Sequence, residues 1–186
     1  MPSLQTLILT CHLLHSSHDL AVVEYRDVRL DASVNGIIIS GVPLHYAFET
    51  VDKRQAHIRW LADTTIPVLG VCLGHQSIGS FFGVHIIRDR EAEKGLRSMQ
   101  ILRDDPIFQN MSDGFAAITL HRASIPVPDD FVSLARSEQC ANQIMRHRQR
   151  PIYGMQFHPE LSPASEKLIG NFRAKPPQIN RVTAMP

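Results

Sequence analysis

The chain has 186 residues, of which 44% are hydrophobic and 20% are charged, and its formal net charge is +1. This length and composition predict one soluble globular domain with its own hydrophobic core. The nearly balanced charge disfavours nucleic acid or an anionic membrane as the main binding partner. Three cysteines are too few for a disulfide framework, no apolar run could span a bilayer, and the N-terminus lacks signal-peptide features. We therefore expect a cytoplasmic protein.

The first half of the chain alternates between strand-like runs and helical periodicity. We predict strands over residues 4–10, 19–25, 35–40 and 66–71; the last two are continuous and apolar, as in strands covered on both faces. Apolar residues at three- and four-residue steps predict a helix over residues 48–64, with Trp60 in the core. Another helix is expected from Leu73 to Phe82, with Gly83 at its end. This alternation is typical of an α/β fold with a mainly parallel central sheet.

The second half of the chain is richer in strand patterns. Predicted strands cover residues 84–88, 96–102, 115–120, 131–135, 142–146 and 151–157. A last helix is expected over residues 162–172, with Ser162 as its cap and Pro163 in its first turn. Residues 174–186 contain three prolines and are expected to form a frayed tail. Residues 1–173 then make up a single domain.

The sharpest motif is the sequence GVCLG at residues 70–74, which has the G-x-S-x-G spacing of a nucleophile elbow with cysteine in place of serine. It lies between a predicted buried strand and a predicted helix, as that elbow requires. The glycines permit a tight turn, and the start of the helix favours a thiolate on Cys72. A buried cysteine in a glycine-flanked turn would look the same, so this motif alone leaves both interpretations open. His75, in the helix that follows, is expected to pack beneath the site.

A second motif offers the base that a thiol nucleophile needs. The sequence QFHPE at residues 156–160 follows an apolar strand, so it is expected at the carboxyl edge of the sheet, where open α/β folds bind ligands. Residues i and i+2 of an extended segment point the same way, so Glu160 can orient the imidazole of His158. Together the two motifs predict a catalytic triad of Cys72, His158 and Glu160.

The segments GVCLGHQ (70–76) and QFHPE (156–160) resemble the class I glutamine amidotransferases of the triad type, and the likeness covers roughly residues 35–172. It implies the flavodoxin-like, three-layer α/β sandwich of that family, with an added antiparallel portion. It also implies hydrolysis of glutamine to glutamate and ammonia through a γ-glutamyl thioester. By position, Cys72 matches the nucleophile, His158 the general acid/base and Glu160 its orienter. The positions that match substrate or oxyanion contacts are Gln76, Leu73, Gly41 and Val42.

Within that family, residues 104–115 and 128–160 look most like the separate glutaminase subunit of archaeal-type, two-subunit GMP synthetases. This likeness implies a partner synthetase of the ATP-pyrophosphatase type, which adenylates xanthosine monophosphate and receives the ammonia for purine biosynthesis. ATP and Mg²⁺ are then expected only in the partner, and neither a cofactor nor a metal is expected in this chain. His121 and Arg122 are candidate contacts with the partner.

Departures from the family pattern keep other functions open. The first loop reads Ser40-Gly41-Val42-Pro43 where the family usually has S-G-G-P or P-G-P. A β-branched residue resists the positive φ expected of the oxyanion donor, at a cost of roughly 1–2 kcal/mol, so we expect weak glutamine turnover by the isolated chain. The segment that matches S-H-G-D ends in Ala123 and lacks the acid. The alternatives are a glutaminase for another acceptor, a γ-glutamyl hydrolase and a catalytically silent regulatory protein.

The remaining histidines and cysteines carry weaker signals. His12, His15 and His18 recur at three-residue steps, but they lack an accompanying set of metal ligands, so we expect an exposed loop there. Cys11 and Cys140 are expected to be structural.

Overall fold

The computed structural model describes residues 10–15, 20–24, 32, 34–40 and 57–174. Within these residues a nine-stranded sheet carries two α-helices. The helices are α1 (Leu73–Phe81) and α2 (Pro163–Ala174), and short 3₁₀ turns cover Arg59–Ala62, Pro106–Phe108 and Pro159–Leu161. The strands are β1 (Thr10–His15), β2 (Leu20–Glu24), β3 (Val34–Ile39), β4 (Val68–Val71), β5 (Ile87–Ile101), β6 (Gly114–Ser124), β7 (Phe131–Arg136), β8 (Ile144–His147) and β9 (Ile152–Met155).

The sheet is mixed, with the strand order β2-β1-β3-β4-β9-β8-β7-β5-β6. At its centre β3, β4 and β9 run parallel. All other neighbours are antiparallel. The predicted α/β fold with a parallel centre and an added antiparallel portion is therefore confirmed. The antiparallel portion is larger than the sequence suggests, because β1 runs antiparallel to β3.

The two helices cover opposite faces of the sheet, which makes three layers. Successive residues of a strand face opposite ways, and β9 shows this directly. Gly154 lies against His75 of α1, whereas the ring of Tyr153 packs edge-on against Phe172 of α2, with 6.4 Å between the ring centroids. The strand that leads to the second motif is thus held from both sides.

Two clusters of buried apolar side chains fill the spaces between the sheet and its covering segments. The cluster on the α2 face includes Leu69, Val71, Tyr153, Met155, Phe157, Leu168 and Phe172. The cluster on the α1 face includes Ile37, Ile39, Ile58, Leu61, Val68, Ile78 and Ile152. Because β4 and β9 contribute to both clusters, buried apolar side chains hold these two strands from either face of the sheet.

The start of the chain departs from the predictions. The strand predicted over residues 4–10 is seen only from Thr10 onward, and the residues before it lie outside the described part of the chain. His12 and His15 belong to β1, so the expected loop is wrong for them; His18 is not among the described residues. Hydrogen bonding to β2 on one side and β3 on the other keeps this segment extended, although its sequence has no strand-like alternation.

Two other predicted elements also differ. Of the helix predicted over residues 48–64, the described part contains a 3₁₀ turn at Arg59–Ala62, and Trp60 in this turn packs against the core as expected. The strands predicted over residues 84–88 and 96–102 form one strand, β5. No element is predicted for the charged stretch between them, but it pairs with β6 after a register shift between Arg88 and Glu93.

At the C-terminus, α2 ends at Ala174, and residues 175–186 lie outside the described part. The single domain over residues 1–173 and the frayed tail therefore stay predictions. None of the helices in the described residues has both the length and the apolar character needed to cross a membrane.

Candidate active site

Cys72 stands between β4 and α1 in a strained backbone conformation, with φ of 53° and ψ of −106°. Its N–H donates to the carbonyl of Met155 on β9 at 2.8 Å, and its own carbonyl accepts from the N–H of Gln76 at 3.2 Å. The turn is therefore tied both to the neighbouring strand and to the helix that follows. The strand, turn and helix that a nucleophile elbow requires are all present.

The two glycines of the motif let α1 cross close over the sheet. A Cβ at Gly70 would lie 2.6 Å from both the carbonyl carbon of Gly74 and Cδ1 of Ile78. A Cβ at Gly74 would collide with the carbonyl oxygen of Ile39 on β3. Larger residues at either position would push the helix away and move the thiol of Cys72 with it.

His158 and Glu160 meet just beyond β9. Nδ1 of His158 lies 2.8 Å from Oε1 of Glu160, and the backbone N–H of His158 donates to the carbonyl of Ile118 on β6 at 2.9 Å. Glu160 lies in a 3₁₀ turn, Pro159–Leu161, and not in an extended segment. The turn, and not strand alternation, therefore brings the carboxylate to the ring.

The imidazole of His158 faces Cys72 as well as Glu160. Burial by itself would lower the pKa of His158, but hydrogen bonds to Cys72 and Glu160, together with their charges, raise it from 6.5 to about 10. Burial raises the pKa of Glu160, but the hydrogen bond to His158 outweighs this and leaves that pKa below its usual 4.5. At neutral pH the ring is thus protonated beside an ionised carboxylate. Because Nδ1 faces Glu160, Nε2 is left for the thiol.

The four substrate or oxyanion positions inferred from the family resemblance differ from one another in their surroundings. Leu73 is the first residue of α1, so its N–H has no carbonyl partner within the helix. Gln76 is buried, and its Nε2 donates to the carbonyl of Ala123 at 2.9 Å and to Oε1 of Gln156 at 3.1 Å. These bonds join α1 to β6 and to the segment before His158. Gly41 and Val42 both lie outside the described residues.

The two candidate contacts with a partner differ in exposure. Arg122 is exposed. His121 is only 2% exposed, and its Nε2 lies 2.8 Å from Oε2 of Glu93. Adjacent residues of β6 point to opposite faces of the sheet, which is why one is buried and the other is not. A surface contact is therefore wrong for His121 and stays a prediction for Arg122.

Glu93 is a buried charge that the sequence did not single out. Its carboxylate accepts hydrogen bonds from Oγ of Ser137 at 2.7 Å and from Nε2 of Gln143 at 2.8 Å. Burial raises the pKa of Glu93, but contact with His121 and these two donors leave it below its usual 4.5. The signal that reveals this group is the pairing of Glu93 with His121 across β5 and β6. The charged sequence around Glu93 does not by itself show that this residue pairs with His121.

His75 is completely buried beneath the elbow, as expected, between α1 and β9. Burial, and to a lesser degree the charge of His121, lower the pKa of His75 to about 3. The ring is therefore neutral at physiological pH and serves as a packing group that connects the elbow helix to the strand before His158.

Known proteins match both the sequence and the fold. The model of the glutamine amidotransferase class-I family matches residues 5–174. The glutamine-hydrolyzing GMP synthase subunit of Methanococcoides burtonii is 34% identical over 174 residues, which cover 87% of this chain and 88% of that protein. The protein of the same name from Pyrococcus abyssi is 36% identical over 141 residues, 74% of this chain and 73% of the relative.

Solved structures of known proteins share the fold of this chain. A Thermoplasma acidophilum structure assigned to the same GMP synthase subunit has a TM-score of 0.68 and 27% sequence identity, and the match covers 77% of this chain and 73% of that one. A glutamine amidotransferase from Thermotoga maritima shares the fold, with a TM-score of 0.61 at 20% identity over 78% of this chain and 65% of its own. The family match spans the elbow, the QFHPE motif and both helices. The chain therefore belongs to the class-I glutamine amidotransferase family.

Proposed function

We propose that this chain hydrolyses the side-chain amide of glutamine with Cys72 as nucleophile, His158 as general acid/base and Glu160 as the group that orients His158. The observation that carries this proposal is the position of one imidazole between two partners. His158 lies 2.8 Å from Glu160 through Nδ1, and its pKa of about 10 reflects a hydrogen bond to Cys72 on its other side. This is the arrangement that thiol-based acyl transfer requires.

The first half of the reaction forms a thioester. The sulfur of Cys72, whose negative charge is stabilised by protonated His158, attacks the amide carbon of glutamine. The N–H of Leu73 is placed at the start of α1 to donate to the oxyanion that develops. As the carbon–nitrogen bond breaks, His158 gives its proton to the nitrogen. Ammonia leaves, and a γ-glutamyl thioester remains on Cys72.

The second half of the reaction reverses the role of His158. The ring, now neutral, takes a proton from water, and the resulting hydroxide attacks the thioester carbon. The carbon–sulfur bond breaks, glutamate leaves, and the ring and sulfur return to their starting charges. Throughout, the carboxylate of Glu160 accepts from Nδ1 and stabilises the protonated ring.

We assign the ammonia to a separate synthetase subunit that makes GMP from xanthosine monophosphate. This part of the proposal is supported by relatives named as glutamine-hydrolyzing GMP synthase subunits, which match this chain over most of both lengths. Ammonia in bulk water at neutral pH is mostly protonated and not nucleophilic, so direct transfer to a docked partner avoids that loss. In this proposal ATP and Mg²⁺ bind the partner, which is of the ATP-pyrophosphatase type, and the reaction takes place in the cytoplasm.

A glutaminase for another acceptor is the second candidate, because Ala123 stands where the GMP-type pattern has an acid. Ala123 is 2% exposed, so its methyl group offers nothing to an acceptor substrate or a partner. The two candidates differ in the partner that the chain activates. Glutamine-dependent conversion of adenylated xanthosine monophosphate by a lone ATP-pyrophosphatase protein supports the first, and activation of a different synthetase alone supports the second.

The central experiment separates ammonia production from ammonia use. The chain is combined with the candidate synthetase, its nucleotide and ATP, and synthesis is measured with glutamine or with an ammonium salt. Cys72→Ala and Cys72→Ser are expected to abolish glutamine-dependent synthesis and to leave ammonium-dependent synthesis intact. Cys11→Ser, a substitution on β1, is the matched control and is expected to keep both.

A chemical label tests the identity of the nucleophile independently. Diazo-oxo-norleucine, a glutamine-like electrophile, is expected to modify Cys72 and to cause the same selective loss. Modification of Cys11 or Cys140 with loss of activity contradicts the assignment. Glutamine turnover by the Cys72→Ala protein contradicts it as well.

A further inference from the structure

We propose that Glu93, His121 and Cys140 form a binding site for one zinc ion, which holds the β5–β6 hairpin against the turn between β7 and β8. One ligand atom from each residue, a carboxylate oxygen, an imidazole nitrogen and Sγ, lies within 4.8 Å of the other two. The three side chains are 4%, 2% and 4% exposed. Because the residues come from three different segments, an ion bound here would join parts of the chain that are far apart in sequence.

The polar atoms of this cluster are not all satisfied by the protein. Nε2 of His121 lies 2.8 Å from Oε2 of Glu93, but the contact lacks the alignment of a hydrogen bond. Oε1 of Gln143 is buried and makes no hydrogen bond within the described residues. Rotating the terminal amide of Gln143 by half a turn exchanges its oxygen and nitrogen. The rotation gives up the hydrogen bonds that Nε2 donates to Oε2 of Glu93 at 2.8 Å and to Oγ of Ser137 at 3.0 Å. In exchange it places the amide oxygen beside Glu93 as a candidate fourth ligand.

The types of ligand select the metal. Imidazole nitrogen, thiolate sulfur and carboxylate oxygen are the ligands of protein zinc sites, whereas Mg²⁺ and Ca²⁺ favour oxygen alone. Ligand atoms around tetrahedral zinc lie roughly 3.3–3.8 Å apart, given bond lengths of about 2.0–2.3 Å. Side-chain rotations therefore suffice to close the cluster on an ion. On binding, Cys140 releases its thiol proton to solvent and His121 carries its proton on Nδ1.

Charge favours an ion at this depth. The carboxylate of Glu93 and the thiolate of Cys140 together carry two negative charges, which balance the two positive charges of Zn²⁺. The loaded cluster is then neutral, and a neutral group costs much less to bury than a charged one.

The groups that would orient Glu93 and Cys140 are already in place. Oγ of Ser137 donates to Oε1 of Glu93 at 2.7 Å and accepts from the N–H of Cys140 at 3.0 Å. The N–H of Ser137 donates to the carbonyl of Cys140 at 2.9 Å. This tight turn fixes the cysteine and holds Oε1 of Glu93, while Oε2 faces His121 and Gln143. Zinc ligands are commonly supported by such hydrogen bonds.

The test uses the full chain with Cys140 as its only thiol, which the double variant Cys11→Ser/Cys72→Ser provides. Co²⁺ serves as a spectroscopic probe for Zn²⁺. We expect one Co²⁺ per chain after gel filtration, a thiolate-to-cobalt charge-transfer band, and loss of that band when Zn²⁺ is added. Adding Cys140→Ser is expected to remove the band and to weaken metal binding more than about 100-fold, since loss of a mere supporting residue often costs 10–100-fold.

Thermal unfolding gives a readout that is independent of the probe. Zn²⁺ is expected to raise Tm relative to a chelator in the double variant and to leave Tm unchanged once Cys140→Ser is added. If Cys140→Ser does not fold, His121→Gln serves in its place with the same expected losses. The proposal is overturned if the double variant retains no stoichiometric metal, or if the cobalt–thiolate band survives Cys140→Ser.

Discussion

His75 occupies the space that a side chain at position 154 would need. A Cβ added at Gly154 would collide with Nδ1 of His75 and would lie 3.0 Å from Cε of Met145. Helix α1 and strand β9 therefore pack closely because the imidazole of His75 on the helix fills the space left by the absent side chain of Gly154 on the strand. Since Cys72 precedes α1 and His158 follows β9, this contact sets the spacing between the two halves of the proposed triad.

Gly154→Ala is accordingly expected to lower the free energy of unfolding by roughly 1–3 kcal/mol, as overpacking of a tight core does. It is also expected to reduce glutamine turnover, because α1 must shift. Gly170→Ala on α2 is the matched control: nothing lies within 4 Å of its added Cβ, and alanine in a helix stabilises by about 0.5–1 kcal/mol relative to glycine. Urea unfolding measures the free energy of unfolding of the two variants. Equal changes in that free energy for Gly154→Ala and Gly170→Ala would contradict the packing argument.

Burial of His75 is expected to make the protein less stable in acid. Its pKa is about 3 in the folded chain against 6.5 for the ordinary group, so between these values only the unfolded chain binds a proton there. Each unit of falling pH in this window then costs about 1.4 kcal/mol of unfolding free energy from this group. Unfolding of the native chain and of His75→Asn, compared between mildly acidic and neutral pH, should show a shallower slope for the variant. Identical slopes would show that His75 is protonated in the folded chain.

His158 is expected to have the opposite dependence. Its folded pKa of about 10 exceeds the ordinary 6.5, so its stabilising effect is complete below pH 6.5 and is lost as the pH rises toward 10. The free-energy difference between the native chain and His158→Gln should therefore shrink across that range in denaturant unfolding. A difference that stays constant would mean that the ring is not held in its charged form.

Glu160→Gln tests the orienting carboxylate. Removing its charge should lower the pKa of His158 from about 10, which NMR titration of the ring measures directly. Glutamine turnover should fall by about 10²–10⁴-fold, the usual worth of positioned acid–base catalysis. Glu166→Gln, in the first turn of α2 and exposed to solvent, is the control and should alter neither quantity. A lowered rate with an unchanged His158 titration would assign Glu160 to substrate binding instead.

The loop that contains Val42 gives a prediction from sequence alone. If Val42 resists the backbone conformation of an oxyanion donor, the isolated chain lacks a preorganised donor, which is worth roughly 10²–10³ in kcat. Val42→Gly should then raise the basal rate of glutamine hydrolysis, measured by glutamate release. A lower rate would mean that valine belongs to a different, working loop geometry.

The elbow and the His158–Glu160 pair could be predicted because each is a local pattern. The spacing of Gly70, Cys72 and Gly74 specifies a strand, a sharp turn and a helix without reference to the rest of the chain. The continuous apolar composition of the runs that form β3 and β4 likewise predicts buried strands. Only the local shape at Glu160 differed, a 3₁₀ turn in place of an extended segment.

What the sequence could not show depends on pairing between distant segments. The predicted strands leave the charged run around Glu93 unassigned, yet the pairing of β5 with β6 buries this carboxylate beside His121. Arg146 lies in a basic run at residues 146–150, but its Nε lies 2.9 Å from Oδ2 of Asp105, whose side chain is 2% exposed. His147 is buried and accepts from the N–H of Gln149 at 3.0 Å. Periodicity in one sequence carries no information about such partners.

The parallel pairing of β4 with β9 has a consequence for synthesis of the chain. Gln76 of α1, just after β4, donates a hydrogen bond to Gln156, just after β9, and the two residues are 80 positions apart in the chain. A ribosome that adds about 5–20 residues per second needs roughly 4–16 s to make that stretch. Through this interval the wholly apolar β4 has an unpaired edge, which is the kind of edge that aggregates. Cys72 is likewise made long before its base, so a nascent chain carries the thiol without the means to use it until Glu160 has left the ribosome.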